Sequence, residues 1–263
     1  MKISIIGAGA MGGAIAEGLL KVHDFDNAGL CVADASKEVL KRFADRGIRT
    51  TTDNHAAVQG ADVVMVVVKP WITERVLLQI KDALQYDRQM LVVVAAGITS
   101  GQINGWLEKD GQPALPPYFL VIPNIGISEL SSMTFIVPVK ASDAQTACIS
   151  GLFDKMGSSL VTEERLLGAG TTLASCGIAY ALRYIRAAVE GGVELGFKAQ
   201  DAQRIVSQTV KGAVELLQAT GAHPESLIDQ VTTPGGVTIK GLNEMEHAGF
   251  SSAVIRGLKA GAK

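Results

Sequence analysis

A glycine-rich turn near the start of the chain constrains the fold more than any other feature. The apolar run Lys2 to Ile6 predicts a buried strand, and Gly7-Ala8-Gly9-Ala10-Met11-Gly12 follows it directly and opens a helical pattern. In this Gly-x-Gly-x-x-Gly spacing the first glycine permits a tight turn, the second lets the backbone approach a pyrophosphate, and the third allows close helix–strand packing. The free amides of the helix N-terminus attract the phosphates. The turn therefore predicts a dinucleotide site formed by Gly7, Gly9, Ala10, Met11 and Gly12.

Apolar runs and helical patterns alternate up to about residue 140. Val63 to Val68 and Met90 to Val94 lack polar alternation, which is typical of strands buried on both faces of a parallel sheet. Further strands are predicted over Leu30 to Ala33, Phe119 to Ile122 and Met133 to Val137. Repeated strand and helix indicate a doubly wound α/β domain. After Thr162 only helical patterns remain, chiefly Leu166 to Leu195 and Ala199 to Thr220. We expect a dinucleotide-binding domain over 1–160 and an all-helical domain over 161–263.

Composition excludes several classes of protein. The 24 basic and 26 acidic residues give a net charge of -2, which offers no general attraction for nucleic acid or an anionic membrane. The apolar runs are far shorter than the ~20 residues that span a bilayer. Cys31, Cys148 and Cys176 have neither metal-ligand nor disulfide spacing, and no targeting segment is recognisable. We expect a reduced, cytoplasmic protein without a metal site.

An acidic residue follows the second predicted strand, where dinucleotide-binding proteins hold the adenosine ribose. A carboxylate at Asp34 would bind the ribose hydroxyls and repel a 2′-phosphate, which favours NADH. Ser36 and Lys37 offer a hydroxyl and a cation that could hold that phosphate, so NADPH stays open. Ser36 is also explained as the N-cap of the next helix.

Two strand ends carry further candidate cofactor residues, because an open α/β sheet binds its ligand at the carboxyl edge of its strands. Lys69-Pro70 follows one buried strand, and Lys69 is a candidate for phosphate or ribose. Ala95-Ala96-Gly97 follows the next, where the small Ala96 and Gly97 would let a nicotinamide ring lie against the backbone. Packing alone also explains small residues there.

A second glycine-rich turn lies in the helical half. Thr232-Thr233-Pro234-Gly235-Gly236 leads into a helix predicted to begin near Thr238. Amides released by two glycines at a helix N-terminus form a nest for a carboxylate, and Thr233 and Thr238 add hydroxyl donors. An ordinary capped turn explains the segment equally well. Since no hydrolase motif or obvious general acid is present, the substrate should accept hydride with little proton transfer.

Seven stretches in order along nearly the whole chain resemble the pyrroline-5-carboxylate reductase family. They are Ile5 to Gly12, Asp53-Asn54, Val68 to Pro70, Ala95 to Gly97, Pro123-Asn124, Cys176 to Tyr180, and Val231 to Thr238 running on to Phe250. The last is the most specific, being similar to the family's Val-Thr-Ser-Pro-Gly-Gly-Thr-Thr. The resemblance implies NAD(P)H-dependent reduction of the C=N bond of 1-pyrroline-5-carboxylate to L-proline. It also implies a Rossmann domain followed by an all-helical domain that dimerises by helix exchange, giving a homodimer or a higher homo-oligomer built from dimers.

The resemblance also implies residue roles. Asn54, Lys69 and Ala96 would flank ribose and nicotinamide. The residues that would bind the substrate carboxylate are Thr233, Gly235, Gly236 and Val237. Thr238 would hydrogen-bond the ring nitrogen as the catalytic residue, in an active site between the nucleotide domain and the helical domains of the dimer. A protonated cyclic imine already accepts hydride well, so orientation would replace acid–base catalysis.

Two departures from the family pattern leave two alternatives open. Ile125-Gly126 stands where the family commonly has Thr-Pro, and Ile178 stands where it has Pro. One alternative is an oxidoreductase of the β-hydroxyacid dehydrogenase type, but the segment Leu166 to Leu195 lacks the lysine those enzymes use. The other is a non-catalytic regulatory paralogue that binds dinucleotides, against which the intact Thr233–Thr238 turn argues.

Overall fold

The computed structural model describes residues 1–109 and 114–262 and divides into two compact units, Met1–Ser175 and Cys176–Lys263. The first unit is α/β, and the described part of the second contains helices alone. This confirms the predicted fold class. The units divide after Ser175, further along than the predicted boundary near residue 160, because the intervening segment still packs on the first unit. In that segment Glu164 bonds to Ser100, and Ser175 donates to the carbonyl oxygen of Pro123 at 2.8 Å.

A single eight-stranded sheet organises the described part of the first unit. Its strands are β1 Ile3–Ile6, β2 Leu30–Ala33, β3 Arg49–Thr51, β4 Val63–Val66, β5 Met90–Val93, β6 Tyr118–Ile122, β7 Ser132–Val139 and β8 Gly157–Val161. They lie in the order β3-β2-β1-β4-β5-β6-β7-β8. All neighbours are parallel except β6 and β7. The strand order reverses beside β1, and open sheets of this kind bind their ligands at that point.

Helices cover both faces of this sheet. They are α1 Ala10–Lys21, α2 Lys37–Ala44, α3 Asn54–Val58, α4 Pro70–Ile80, α5 Ser100–Leu107 and α6 Asp143–Asp154. Every residue of β1, β2, β4 and β6 is buried, and one apolar cluster lies on each face. Burying each large apolar side chain contributes about 1.5–3 kcal/mol. Burial on both faces explains why these strands show no polar alternation.

Two short strands, β3 and β8, were not predicted. Both lie at the edges of the sheet, and their residues are mostly half-buried or exposed. Their sequences, Arg-Thr-Thr and Gly-Ser-Ser-Leu-Val, therefore need not be apolar. The pairing that makes them strands comes from β2 and β7, each of which precedes its partner across one helix.

The helical part runs from α7 Leu167–Gly170 through a π-helix at Thr171–Cys176 into the second unit. That unit contains α8 Gly177–Glu194, α9 Ala199–Thr220, α10 Pro224–Gln230, α11 Val237–His247 and α12 Phe250–Gly261. The helix predicted over Leu166 to Leu195 is thus interrupted, whereas α9 has the predicted limits. Gly221 ends α9 in the left-handed conformation. No helix in the described ranges is long and apolar enough to cross a membrane.

Candidate functional site

The turn after β1 has the geometry that its glycines predict. Gly7 has φ +99° and donates its amide hydrogen to the carbonyl oxygen of Ala33 at 2.7 Å. A side chain at Gly7 would collide with the carbonyl oxygen of Val67, and one at Gly12 would collide with that of Gly7. The backbones of β1, β4 and α1 therefore approach closely enough that only glycine fits at these two positions.

Gly9 is different, because a Cβ there would meet nothing within 4 Å. Gly9 is the N-cap of α1, and no side chain in the described ranges caps this helix. The first amides of α1 have no partner within the helix, so their hydrogens are available to an anion. Open space in front of free amides fits the pyrophosphate of a dinucleotide.

Two side chains from the β2–α2 region hold the peptide groups at Ala8. One Asp34 oxygen accepts the amide hydrogen of Ala8 at 2.7 Å, and the other accepts that of Ser36 at 2.9 Å. The Arg42 guanidinium donates to the carbonyl oxygen of Ala8 at 3.1 Å. A side chain at Gly13 would occupy the space of that guanidinium. The conformation of the turn thus depends on residues that lie far from it in sequence.

A cleft of about 320 Å³ lies at the carboxyl edge of the sheet, beside this turn. Its charged lining residues are Asp34 and Lys69. The others are Gly7, Gly9, Ala10, Met11, Val67, Val68, Ile72, Val94 and Ile125. Six predicted cofactor residues therefore meet here, namely Gly7, Gly9, Ala10, Met11, Asp34 and Lys69. The mixture of apolar walls and few polar groups is typical of cofactor clefts.

The remaining predicted cofactor residues are not among the lining residues of this cleft. Gly12 supports the turn from behind, and Ser36 caps α2 by accepting the amide hydrogen of Val39. The Asn54 amide donates to the Gln79 side chain at 3.0 Å, and Pro70 is the first residue of α4. Ala96 and Gly97 lie just beyond β5 on exposed backbone. Roles for these residues stay predictions.

Ile125 is a lining residue outside the set of predicted cofactor residues. It is 51% exposed and belongs to the turn after β6. The buried Asn124 shapes this turn, since its side chain accepts the amide hydrogen of Gly126 at 2.9 Å. The departure at Ile125-Gly126 therefore falls on the wall of the cofactor cleft. The signal that could have found it was the position of Pro123-Asn124 directly after a buried strand.

The second glycine-rich turn lies wholly within the second unit. Gly235 has φ +71°, and the Gly236 amide donates to the carbonyl oxygen of Thr233 at 2.9 Å. Gly236 is the N-cap of α11, which no side chain in the described ranges caps. Val237 is 85% exposed, and Thr238 is half-buried in the first turn. The turn thus presents free amides and hydroxyls together, as a carboxylate nest requires.

An apolar groove of about 540 Å³ crosses the helices of the second unit. It is lined by residues of α8, α11 and α12, including Tyr180, Tyr184, Met245, Phe250 and Val254. The rings of Tyr184 and Phe250 meet edge to face at 6.4 Å. Val254 is 46% exposed, and many large apolar side chains of this unit are similarly open. Exposed apolar side chains that lie together in this way are typical of association surfaces.

Ligand clusters for a metal ion are not found in residues 1–109 and 114–262. The described titratable groups with raised pKa include two buried tyrosines. Burial raises the pKa of Tyr118, and the Glu164 charge adds to the effect. Burial also raises the pKa of Tyr86 to about 12, helped by Asp82. Neither tyrosine lines the cofactor cleft.

Family models match both parts of the chain. Residues 164–263 match a model described as pyrroline-5-carboxylate reductase dimerisation, and residues 2–97 match one described as NADP oxidoreductase, coenzyme F420-dependent. The first match coincides with the helical part and the second with the glycine-rich turn and cleft.

Curated relatives match over the whole chain. Pyrroline-5-carboxylate reductase 1 of Dictyostelium discoideum is 37% identical over 97% of this chain, which spans 48% of that protein's length. Pyrroline-5-carboxylate reductase 2 of the same organism is 34% identical over 100% of this chain and 91% of its own.

Solved structures share the fold over the full length. The pyrroline carboxylate reductase of Plasmodium falciparum, with NADP bound, superposes with a TM-score of 0.88 at 22% identity, covering 100% of this chain and 95% of its own. A 1-pyrroline-5-carboxylate reductase of Streptococcus pyogenes gives 0.82 at 29% identity, covering 100% and 98%.

Proposed function

The chain belongs to the pyrroline-5-carboxylate reductase family, and from this premise we infer its reaction and the roles of its residues. It is an NAD(P)H-dependent oxidoreductase that reduces the C=N bond of 1-pyrroline-5-carboxylate to give L-proline, a step of proline biosynthesis. The observation that carries this inference is the pairing of two sites in one chain. One is the phosphate turn with its cleft in the first unit, and the other is the nest at the start of α11.

The cofactor is held by the turn after β1. Bound NAD(P)H supplies the hydride. Its pyrophosphate is proposed to lie over Gly9 against the first amides of α1, where the backbone leaves open space. The apolar lining residues Met11, Val94 and Ile125 support the placement of the nicotinamide half in the cleft. Ala96, which follows Val94 by two residues, is proposed to lie next to the ring.

We propose that NADH is preferred over NADPH. The support is electrostatic, because Asp34 places an anionic carboxylate in the lining of the cleft at the end of β2. The negative charge of a 2′-phosphate would be repelled by this carboxylate. Ribose hydroxyls can instead donate hydrogen bonds to the remaining lone pairs of the carboxylate. NADP is bound in the structure of the Plasmodium falciparum enzyme, and this concerns that protein.

The substrate is proposed to bind at the second turn. The groups proposed for its carboxylate come from Thr233, Gly235, Gly236 and Val237. Thr238, half-buried one residue later, is proposed to hydrogen-bond the ring nitrogen. Since the protonated imine already accepts hydride, these residues need only orient the ring and exclude water.

The chain carries a dimerisation domain and therefore forms a homo-oligomer. We propose that the basic unit is a dimer formed through the helical part by helix exchange, with larger assemblies built from dimers. The apolar groove of α8, α11 and α12 supports this, since a second copy would cover it.

A cytoplasmic location is also proposed. Cys31, Cys148 and Cys176 are all free thiols, as expected of a chain in a reducing compartment.

The decisive assay mixes purified protein with pyrroline-5-carboxylate and NADH or NADPH and follows the absorbance of the reduced nicotinamide. We expect oxidation of both cofactors, faster with NADH, and formation of proline. Nucleotide binding without oxidation of either cofactor would instead establish a regulatory paralogue. Oxidation of a β-hydroxyacid without imine reduction would establish the dehydrogenase alternative.

A further inference from the structure

Glu164 makes two hydrogen bonds to one residue that is 64 positions away in sequence. Its Oε1 accepts the amide hydrogen of Ser100 at 2.9 Å, and its Oε2 accepts the Ser100 hydroxyl hydrogen at 2.5 Å. Both residues lie within the first unit and are half-buried. Charge-assisted, two-pronged bonds of this kind fix orientation as well as distance.

Ser100 is the first residue of α5 and follows the β5–α5 loop, Val94–Thr99. The Tyr118 hydroxyl lies 3.0 Å from the carbonyl oxygen of Ser100 and 2.7 Å from the Asn104 side-chain oxygen. A tyrosine hydroxyl carries its proton at neutral pH, so that of Tyr118 can donate, and burial and the Glu164 charge raise its pKa further. Ser100 is therefore held through both its amide and its carbonyl group.

The start of α5 does not need Glu164 as a cap. Thr99 and Gln102 already form a complete capping box, in which each side chain bonds to the other's backbone amide. Glu164 adds a negative charge at the same helix N-terminus, which is favourable by itself. Its neighbour Arg165 pairs with Glu163, so the two bonds of Glu164 remain directed at Ser100.

We propose that Glu164 is a positioning residue for hydride transfer, because it holds the end of the β5–α5 loop and thereby sets where Ala96 lies. This inference rests on the proposed function, in which Ala96 lies next to the nicotinamide ring. Holding the loop restricts the ring to a reactive orientation, and a misplacement of about 1 Å can cost about 100-fold in rate.

The test compares two ligands on purified full-length protein. NADH contains the nicotinamide, whereas ADP-ribose retains the adenosine and pyrophosphate without it. For Glu164→Gln, which keeps the shape and removes the charge, we expect the Kd for NADH to rise about fivefold and kcat to fall about tenfold. The Kd for ADP-ribose should stay within about twofold, because the phosphate turn is untouched. The fluorescence of bound reduced nicotinamide should shift towards that of free NADH.

Three further variants complete the design. Glu164→Ala should change the Kd for NADH, kcat and the fluorescence more than Glu164→Gln does, because it also removes the hydrogen-bond acceptors. Glu163→Gln is the matched control, since Glu163 pairs with the exposed Arg165. This variant should leave both Kd values, kcat and the fluorescence unchanged. Ala96→Val tests the loop directly and should weaken NADH binding while leaving ADP-ribose binding unchanged.

The outcomes separate this inference from the proposed function. Two outcomes would overturn the positioning role alone. In the first, Glu164→Gln weakens the binding of NADH and of ADP-ribose equally. In the second, Glu164→Gln leaves NADH binding unchanged although Ala96→Val weakens it. No selective effect of Ala96→Val would overturn the placement of the nicotinamide and the positioning role with it. Selective weakening of NADH binding in both variants, with the shifted fluorescence in Glu164→Gln, supports the inference.

Discussion

The carboxylate of Asp34 accepts the amide hydrogen of Ala8 at 2.7 Å, which joins the end of β2 to the glycine-rich turn after β1. Its second oxygen accepts the amide hydrogen of Ser36 at 2.9 Å. Asp34 therefore has a structural part in shaping the turn besides its proposed part in reading the ribose. A substitution there should change both, and the two effects can be separated.

Asp34→Asn should raise the ratio of kcat/KM for NADPH to that for NADH by about tenfold, because the amide removes the negative charge yet keeps one acceptor oxygen. Asp34→Ser should raise this ratio as well, but it should weaken the binding of both cofactors, since serine lacks an acceptor that reaches Ala8. Steady-state kinetics with both cofactors measure this. Asp26→Asn is the control, because Asp26 accepts an amide hydrogen two residues on at a turn outside the cleft. An unchanged ratio would remove Asp34 from cofactor selection.

Gly9→Ala and Gly12→Ala should separate binding from stability. A Cβ at Gly9 has open space, so the protein should keep its melting temperature while the Kd for NADH rises at least about tenfold, because the methyl group blocks the pyrophosphate. A Cβ at Gly12 collides with the carbonyl oxygen of Gly7, so that variant should lose about 3 kcal/mol of unfolding free energy. Urea unfolding and fluorescence titration give the two quantities. Unimpaired NADH binding by Gly9→Ala would contradict the proposed place of the pyrophosphate.

Thr238→Val should lower kcat by about 100-fold, because it removes a hydroxyl that is proposed to hydrogen-bond the substrate nitrogen while it keeps the shape of the side chain. Thr238→Ser retains the hydroxyl and should recover most of the activity. The Kd for NADH should be nearly the same in both, as measured by titration. Full activity of Thr238→Val would show that the hydroxyl takes no part in the reaction.

Tyr86 should make the protein sensitive to alkali. Its hydroxyl donates to the carbonyl oxygen of Leu107 at 2.6 Å, and burial raises its pKa to about 12. Because the folded state favours the neutral form, this stabilisation is complete below the unfolded pKa of about 10 and is lost as the pH rises towards 12. We expect about 2 kcal/mol of unfolding free energy to be lost over that range for this reason. Between pH 9 and pH 12, Tyr86→Phe should lose correspondingly less unfolding free energy than the unaltered protein, as measured by urea unfolding. Parallel curves of unfolding free energy against pH for the two proteins would contradict the prediction.

Val254→Lys should dissociate the oligomer, because it places a charge in the apolar groove of α8, α11 and α12. Sedimentation velocity should show a dimer or larger species for the unaltered protein and a monomer for the variant. Leu78→Lys is the matched control, since Leu78 is a similarly exposed apolar residue on α4 of the first unit. A monodisperse monomer of the unaltered protein would contradict the proposed assembly.

Local sequence was enough to predict the elements whose burial or capping is encoded within themselves. β4 and β5 are apolar throughout, and α9 ends at a glycine that adopts the left-handed conformation. β3 and β8 escaped prediction because pairing with β2 and β7 makes them strands, and their own residues are mostly polar or small. The π-helix at Thr171–Cys176 has no local signal either.

The candidate site divides in the same way. The glycines predicted the turn because the backbone geometry excludes other residues at Gly7 and Gly12. By contrast, the bonds from Asp34 and Arg42 to Ala8, and the two bonds between Glu164 and Ser100, join residues that only the folded chain brings together. The spacing of residues along the sequence does not indicate which residues become hydrogen-bond partners of this kind.

The Arg42 guanidinium occupies the space that a side chain at Gly13 would fill, and it bonds to the same Ala8 that Asp34 holds. Positions 13 and 42 are therefore coupled, and residues 34 and 42 hold the same Ala8. A relative that acquires a side chain at position 13 must shorten or redirect residue 42 in the same lineage. An engineer who places a side chain at position 13 of this scaffold must likewise exchange residue 42 with it.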